Sequence, residues 1–339
     1  MKKTVFLGAL TVAGVAAGVA SAATLDDVKA RGTLNCGVTT GLVGFAAPDA
    51  NGVWEGFDVA VCRSVAAAVL GDPTAVEFVP TTGKTRFTAL ASGEVDMLAR
   101  NTTWTFSRDT DLKFDFVGVN YYDGQGFMVP KALGVSSAKE LDGATVCIQT
   151  GTTTELNLAD FFRKNNMNYE PVPIETNAEG QQQYLAGACD TYTTDASGLA
   201  ATRAAFENPT EHVILPEIVS KEPLGPLVRH GDHEWEDIVR WTLNALITAE
   251  EFGVTSANVE ELASGPTDSP EVNRLLGTEG NLGEMIGLDA DWAKRAIAVG
   301  GNYGEVFERN IGENTPIGLA RGLNALWTNG GILYSPPFR

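Results

Sequence analysis

Gly56-Phe-Asp-Val-Ala-Val-Cys-Arg-Ser-Val-Ala-Ala-Ala-Val69, followed by Gly71, is the stretch on which the fold turns. Its apolar positions suit a helix that buries one face and stops at a glycine. On either side lie short β-branched runs, Leu34–Thr39 and Val76–Val79, that read as strands. A second helix, Arg86 to Ala91, is closed by Gly93, and Val95–Leu98 returns as a strand. Strand, helix, strand, helix, strand predicts a mostly parallel sheet with helices on both faces. The rhythm restarts downstream. Ala144–Ile148 reads as a strand, and Gly151-Thr152-Thr153 opens a helix running to about Arg163. Tyr169–Ile174 contains Pro171 and Pro173, which places it near a sheet edge. Glu179–Ala186 and Ser197–Ala205 read as helices around the strand Cys189–Tyr192. Two such units predict two lobes with a cleft between them, and ligands gather outside the carboxyl ends of the strands. The tail reads as helical: Trp235 to Glu250 first, then residues 282–309 and 316–328, with Trp292, Phe307 and Trp327 as core aromatics.

The chain has 339 residues, enough for two domains of roughly 150. Lys plus Arg number 24 against 43 Asp plus Glu, a net charge of −19. That excludes the basic footprint of a nucleic-acid binder and disfavours an anionic membrane surface. Residues 1–22 read as an export signal: Lys2 and Lys3, an apolar run from Val5 to Val19, and Ala20-Ser21-Ala22 for cleavage. The run is too short and glycine-interrupted for a membrane span. Cys36, Cys62, Cys147 and Cys189 are an even set in an exported chain, which points to disulfides with three pairings open. No CxxC is present, and His212, His230 and His233 lie far from any cysteine in sequence, so no metal site is expected.

GxSxG, P-loop, HExxH and GxGxxG motifs are all missing, which moves the expectation from catalysis toward binding. The informative stretch is Asp96-Met-Leu-Ala-Arg-Asn-Thr-Thr-Trp-Thr-Phe-Ser-Arg108, where hydroxyls and an arginine follow a strand. A guanidinium grips a carboxylate through two parallel hydrogen bonds. Gly151-Thr152-Thr153 offers a second anion site, because the N–H groups of a helix start point outward. Asp195, just past a strand, is placed to hold an ammonium. A carboxylate clamp beside an ammonium partner describes a zwitterion, and α-amino acids are the commonest small molecules of that kind.

These residues resemble the extracytoplasmic solute-binding proteins of polar amino-acid ABC transporters, and more closely their general L-amino-acid-binding component. The likeness rests on Trp54-Glu-Gly-Phe-Asp58, Asp96 to Arg108, Gly151-Thr-Thr-Thr-Glu155, Gly187 to Asp195 and the closing block Gly318 to Ile332. It implies an α/β, two-lobed periplasmic-binding-protein fold of type II, each lobe a mostly parallel sheet flanked by helices. Two hinge crossings are expected, near Tyr121–Gly126 and Ser220–Leu227. Lobe one would combine 23–122 with 227–339, the latter carrying a C-terminal helical extension, and lobe two would span 125–222. The resemblance assigns the α-carboxylate to Arg108 with Thr103 and Thr153, beside Thr152. It assigns the α-ammonium to Asp195 and the side-chain carbonyl of Asn101. Arg86 would read the ligand side chain, and Phe45 would add apolar wall, with Leu42 nearest the family's stacking aromatic. A bond between lobes would block hinge motion, so Cys36–Cys62 and Cys147–Cys189 are the expected disulfides.

The function implied is binding of L-amino acids, polar or acidic ones preferred, and delivery to membrane permease subunits by hinge closure. No cofactor is needed, and a periplasmic monomer is expected. Two alternatives stand beside it. An exported cyclohexadienyl (arogenate/prephenate) dehydratase on the same fold would need an acid placed to expel a leaving group, and no such residue is marked. A sensor module feeding a receptor kinase would need a membrane span that the chain does not carry.

Overall fold

The computed structural model describes residues 24–339; the export-signal reading of residues 1–22 lies outside them. After helix α1 (Thr24–Arg31) come β1 (Leu34–Thr39), the short ribbon β2 (Ala47–Pro48) and β3 (Trp54–Glu55), and α2 (Phe57–Leu70). The chain continues through β4 (Val76–Thr81), α3 (Arg86–Ser92), β5 (Met97–Leu98), α4 (Phe106–Thr110) and β6 (Phe114–Phe116). Next is β7 (Tyr121–Asp123), which leads into β8 (Gln125–Pro130), β9 (Ala144–Gln149), α5 (Thr153–Lys164) and β10 (Tyr169–Ile174). Helix α6 (Asn177–Leu185), β11 (Thr191–Asp195), α7 (Ala196–Ala204) and β12 (His212–Ile214) complete that body. β13 (Glu222–Leu224) returns the chain to β14 (Leu227–Arg229) and α8 (His233–Glu251). The remainder is helical: α9 (Val259–Leu262), α10 (Pro270–Leu275), α11 (Leu282–Met285), α12 (Trp292–Gly300) and α13 (Tyr303–Asn310).

Two five-stranded sheets result, ordered β4-β1-β5-β14-β6 and β10-β9-β11-β8-β12. In each, one strand runs against its neighbours. β14 is antiparallel to β5 and β6, and β8 is antiparallel to β11 and β12. Both reversed strands directly follow a crossing strand, so each lobe receives the incoming chain on its odd strand. The crossings themselves, β7 and β13, pair antiparallel with Tyr121 opposite Leu224 and Asp123 opposite Glu222. Gly225 makes the close approach possible, since a Cβ there would sit 2.0 Å from the Gly118 carbonyl oxygen.

Local chemistry explains the elements. Helix α2 starts at Gly56, whose φ of 132° and contact with the Phe45 backbone exclude a side chain. It ends at Gly71 in the left-handed region, as the sequence predicts. Helix α5 is capped by the Thr152 hydroxyl, which accepts from the Glu155 N–H. The prolines of β10 sit on a sheet edge. Apolar faces fill both sides of each sheet. One large core joins α2, α8, α12 and α13 to the first sheet, with Leu90, Phe114 and Leu227 on the opposite face. Phe127, Val146, Leu158 and Phe162 fill one face of the second sheet, and Tyr184, Tyr192 and Leu199 the other.

Trp292 and Phe307 are core residues, but the helical reading of 316–328 is corrected. Only the 3₁₀ turns Gly322–Asn324 and Trp327–Asn329 form there, and Trp327 is half exposed. Gly318 and Gly322, at φ 68° and 50°, turn the chain out of any helix. The disulfides join Cys36 of β1 to Cys62 of α2, and Cys147 of β9 to Cys189 ahead of β11. Each lies within one sheet-and-helix body. A Cys36→Ser/Cys62→Ser variant is expected to lose roughly 3 kcal/mol of stability, measured by denaturant unfolding, while peptide mapping of the native chain finds no pair between Cys36 or Cys62 and Cys147 or Cys189.

Candidate functional site

The carboxyl ends of strands in both sheets face a common cavity. From the first sheet come Thr39 at the end of β1, Leu42, Arg86 at the start of α3, and Arg100, Asn101 and Thr103 in the turn after β5. From the second come Gln149 at the end of β9, Thr152, Thr153 and Thr154 at the start of α5, Asn177 at the start of α6, and Thr194 and Asp195 closing β11. The two bodies touch around this space. Asn177 donates to the Thr39 hydroxyl and the Gly41 carbonyl, both at 3.1 Å. Arg86 Nη2 donates to the Gly151 carbonyl at 3.4 Å, and Lys84 pairs with Glu175 at 2.9 Å. The Thr103 and Thr153 hydroxyl oxygens lie 3.2 Å apart.

Charge is concentrated here. Arg86, Arg100 and Arg108 are all buried. Burial pushes the pKa of Arg86 well down, and the neighbouring Arg100 and Arg108 push it further. Burial lowers Arg100 and Arg108 to about 10, so both stay cationic at neutral pH. Phe87 lies beneath two of them, its ring centre 4.8 Å from the Arg86 guanidinium carbon and 5.2 Å from that of Arg108. Against these stand carboxylates. Burial raises Asp195 well above the usual range, and the nearby Asp123 and Glu222 add to it. Burial raises Asp123 to about 6, with hydrogen bonds from Ser197 and Gly124 opposing. Opposite charges in so buried a site attract strongly, but each also loses its water.

The structure brings Arg86, Asn101, Thr103, Thr152, Thr153 and Asp195 together on one cavity wall or another. Arg108 stands one layer behind, its Nη1 donating to the Thr103 carbonyl at 2.7 Å. Phe45, expected on the apolar wall, is corrected: it is fully buried among Phe57 and Tyr121 in the first core, and Leu42 lines the cavity instead. Sequence reading singles out neither Arg100 nor Glu222. Arg100 lies inside the informative stretch, but only Arg108 matches a clamp there. Two buried polar atoms of the lining residues have no partner, Asn101 Oδ1 and Arg86 Nε. Asn101 holds φ 43°, unusual for a residue with a side chain, and its N–H donates to Asp58 at 3.2 Å. Elsewhere, Asp115, His233 and Glu236 bring ligand-type atoms within 4.8 Å of one another on the surface, where His233 is already paired with Glu236.

Known proteins share this architecture. Residues 34–257 match the model for bacterial extracellular solute-binding proteins, family 3. This chain belongs to that family. It is 70% identical, over its whole length and the whole of the relative, to the glutamate/glutamine/aspartate/asparagine-binding protein BztA of Rhodobacter capsulatus. It is 60% identical to the general L-amino acid-binding periplasmic protein AapJ of Rhizobium johnstonii, over 98% of this chain and 97% of that one. A periplasmic binding protein from Brucella ovis, solved with glutathione bound, superposes with a TM-score of 0.91 at 57% identity, covering 94% of this chain and all of that one. The chain is thus a solute-binding protein of the type II periplasmic fold, and its close relatives are named for binding, not catalysis.

Asp58 gives a test of the site's construction. It accepts from Asn101 N–H and Asn120 Nδ2, yet burial raises it from 3.8 to about 7. The folded state therefore holds a proton that the unfolded chain releases between those values. Its contribution to stability is full below about pH 4 and lost as pH rises through about 7. Asp58→Asn should flatten this part of the profile; an unchanged slope of unfolding midpoint between about pH 4 and pH 8 would contradict the assignment.

Proposed function

We propose that the protein is the periplasmic receptor of an amino-acid ABC transporter, with L-amino acids as its solutes and the polar and acidic ones preferred. The observation that carries this is the pairing of a guanidinium cluster with Asp195 across one buried cavity, because it supplies both poles that a zwitterion needs. Arg100 takes the α-carboxylate, with the N–H groups at the start of α5 and the charge of Arg108 behind Thr103. Asp195 takes the ammonium, and the unpartnered Asn101 Oδ1 supplies a further acceptor. Arg86 reaches an acidic or amide side chain through its free Nε. Leaving such buried groups unpaired costs about 1–3 kcal/mol each, so an occupant stabilises the closed form more than the open one. That preference is the mechanism of delivery: the closed protein docks on permease subunits, which draw on an ATPase on the cytoplasmic side.

Closure on this reading moves residues 23–122 and 227–339 as one body against 125–222. Residues 1–22 serve as a cleaved export signal, and the mature chain acts as a monomer. The ligands named for the 70%-identical relative, two acids and their amides, fit the role given to Arg86. The glutathione in the Brucella ovis structure favours a second solute class, small peptides that present the same α-amino acid head.

A thermal-shift screen against the twenty amino acids and glutathione tests the reading, since a ligand of the native state raises the melting temperature. Glutamate, glutamine, aspartate and asparagine should give the largest shifts; no shift with any amino acid would overturn it. Arg100→Ala and Asp195→Asn should each weaken binding by about 2–5 kcal/mol in calorimetry. With Asp195 raised, affinity should fall as the pH is lowered and begin falling above the ordinary aspartate range. Asp195→Asn should abolish that dependence.

A further inference from the structure

Glu222 belongs to neither sheet. It sits on the crossing strand β13, opposite Asp123 of β7, and is 1% exposed. Its carboxylate is surrounded by four donors. Oε2 accepts from the Thr103 hydroxyl at 2.5 Å and the Thr153 hydroxyl at 2.8 Å. Oε1 accepts from the Ser220 hydroxyl at 2.6 Å and from Asn157 Nδ2 at 2.7 Å. An ionised carboxylate has about four acceptor positions, so Glu222 has none left for a ligand. It is also absent from the cavity wall, whereas Thr103 and Thr153 are on it.

The consequence lies in the protons. A threonine hydroxyl has one hydrogen to give. Thr103 and Thr153 are also within reach of each other, but hydrogen bonds to a charged acceptor are the stronger ones. Both hydroxyls therefore turn their hydrogens toward Glu222 and their lone pairs toward the cavity. Two oxygens from opposite lobes then present acceptors, not donors, to the occupant. Resting on the amino-acid reading above, we infer that Glu222 is a positioning residue that sets the polarity of this wall. Through Thr103 and Thr153 it makes the wall a reader of the ligand's ammonium, alongside Asp195. The carboxylate of the ligand is left to the arginines and backbone N–H groups. Because Thr103 and Thr153 come from different lobes, the arrangement exists only in the closed form. A glutamine at 222 would donate with its amide nitrogen, and one of the threonines could then turn its hydrogen to the cavity.

The test compares L-glutamate with 2-oxoglutarate, which differs at the α-position by lacking the ammonium, using calorimetry on the full mature protein. Glu222→Gln should weaken glutamate binding by roughly tenfold to a hundredfold while leaving 2-oxoglutarate little changed or improved. The discrimination between the two thus narrows. Thr103→Val, which deletes the hydroxyl and leaves the carboxylate in place, should reproduce the loss, and the double variant should add little to it. A purely structural role for Glu222 would lower both affinities together and leave their ratio unmoved, and that result overturns the inference. If Glu222→Gln does not fold, as judged by the melting curve without ligand, Thr103→Val and Thr153→Val carry the same comparison. Wild-type protein that binds no amino acid overturns the functional reading and this inference with it; wild type that discriminates, with variants that discriminate equally, overturns this inference alone.

Discussion

Everything in the molecule serves to keep three guanidiniums and an opposing set of carboxylates facing one another across a gap between two rigid bodies. Such groups are costly to strip of water, and only tight geometry recovers the cost. The geometry here is divided: Arg86, Arg100 and Arg108 hang from the first body, Asp195 ends a strand of the second, and Asp123 and Glu222 ride on the crossings. No body alone completes the set. On the proposed reading binding and closure are one event, since a ligand that bridges charges on both sides of a cleft favours the closed form.

The connection between the bodies is narrow and short. Two strands of three residues pair across the waist, and a glycine fits where any side chain would strike a carbonyl. Both reversed strands begin immediately beyond them, so a small change in the crossings reorients a whole sheet. The disulfides sit away from this joint and stiffen each body separately. Rigid halves with a thin link are what hinge motion requires.

Much of this was legible in the residues. Helix α2 and strands β1 and β4 announced themselves by apolar spacing and glycine stops, and Pro171 and Pro173 marked an edge. The rest depended on contacts that no local pattern carries. Leu319, Leu323, Leu326 and Trp327 have helical spacing, but two glycines at positive φ break the helix they mimic. Phe45 looked like wall because it follows a strand, and the aromatic cluster behind it drew it inward. Asp195 was visible only in combination, because a lone acid past a strand says little until the Arg108 stretch supplies the opposite pole. Arg100 was not, because the motif singles out Arg108, which stands behind Thr103, whereas Arg100 lines the cavity. Glu222 was the least visible of all. In Ser220-Lys-Glu-Pro223 it is an ordinary acid beside a proline, and its meaning comes from the Thr103 and Thr153 hydroxyls, far away along the chain and on different bodies.

The family match ends at residue 257, yet the chain continues to 339. The extra length is no appendage. Arg295 of α12 donates to the Ala67 and Ala68 carbonyls, tying off the last turn of α2. Val65, Ala66 and Ala68 of that helix are sealed within the same core as Ala293, Ala296 and Ile297. A shortened chain cut back to the family's own limits would leave an alanine-rich helix face bare to water and its final carbonyls untethered. In this branch the larger size is absorbed into the foundations, and no compact version of the protein can be had by trimming.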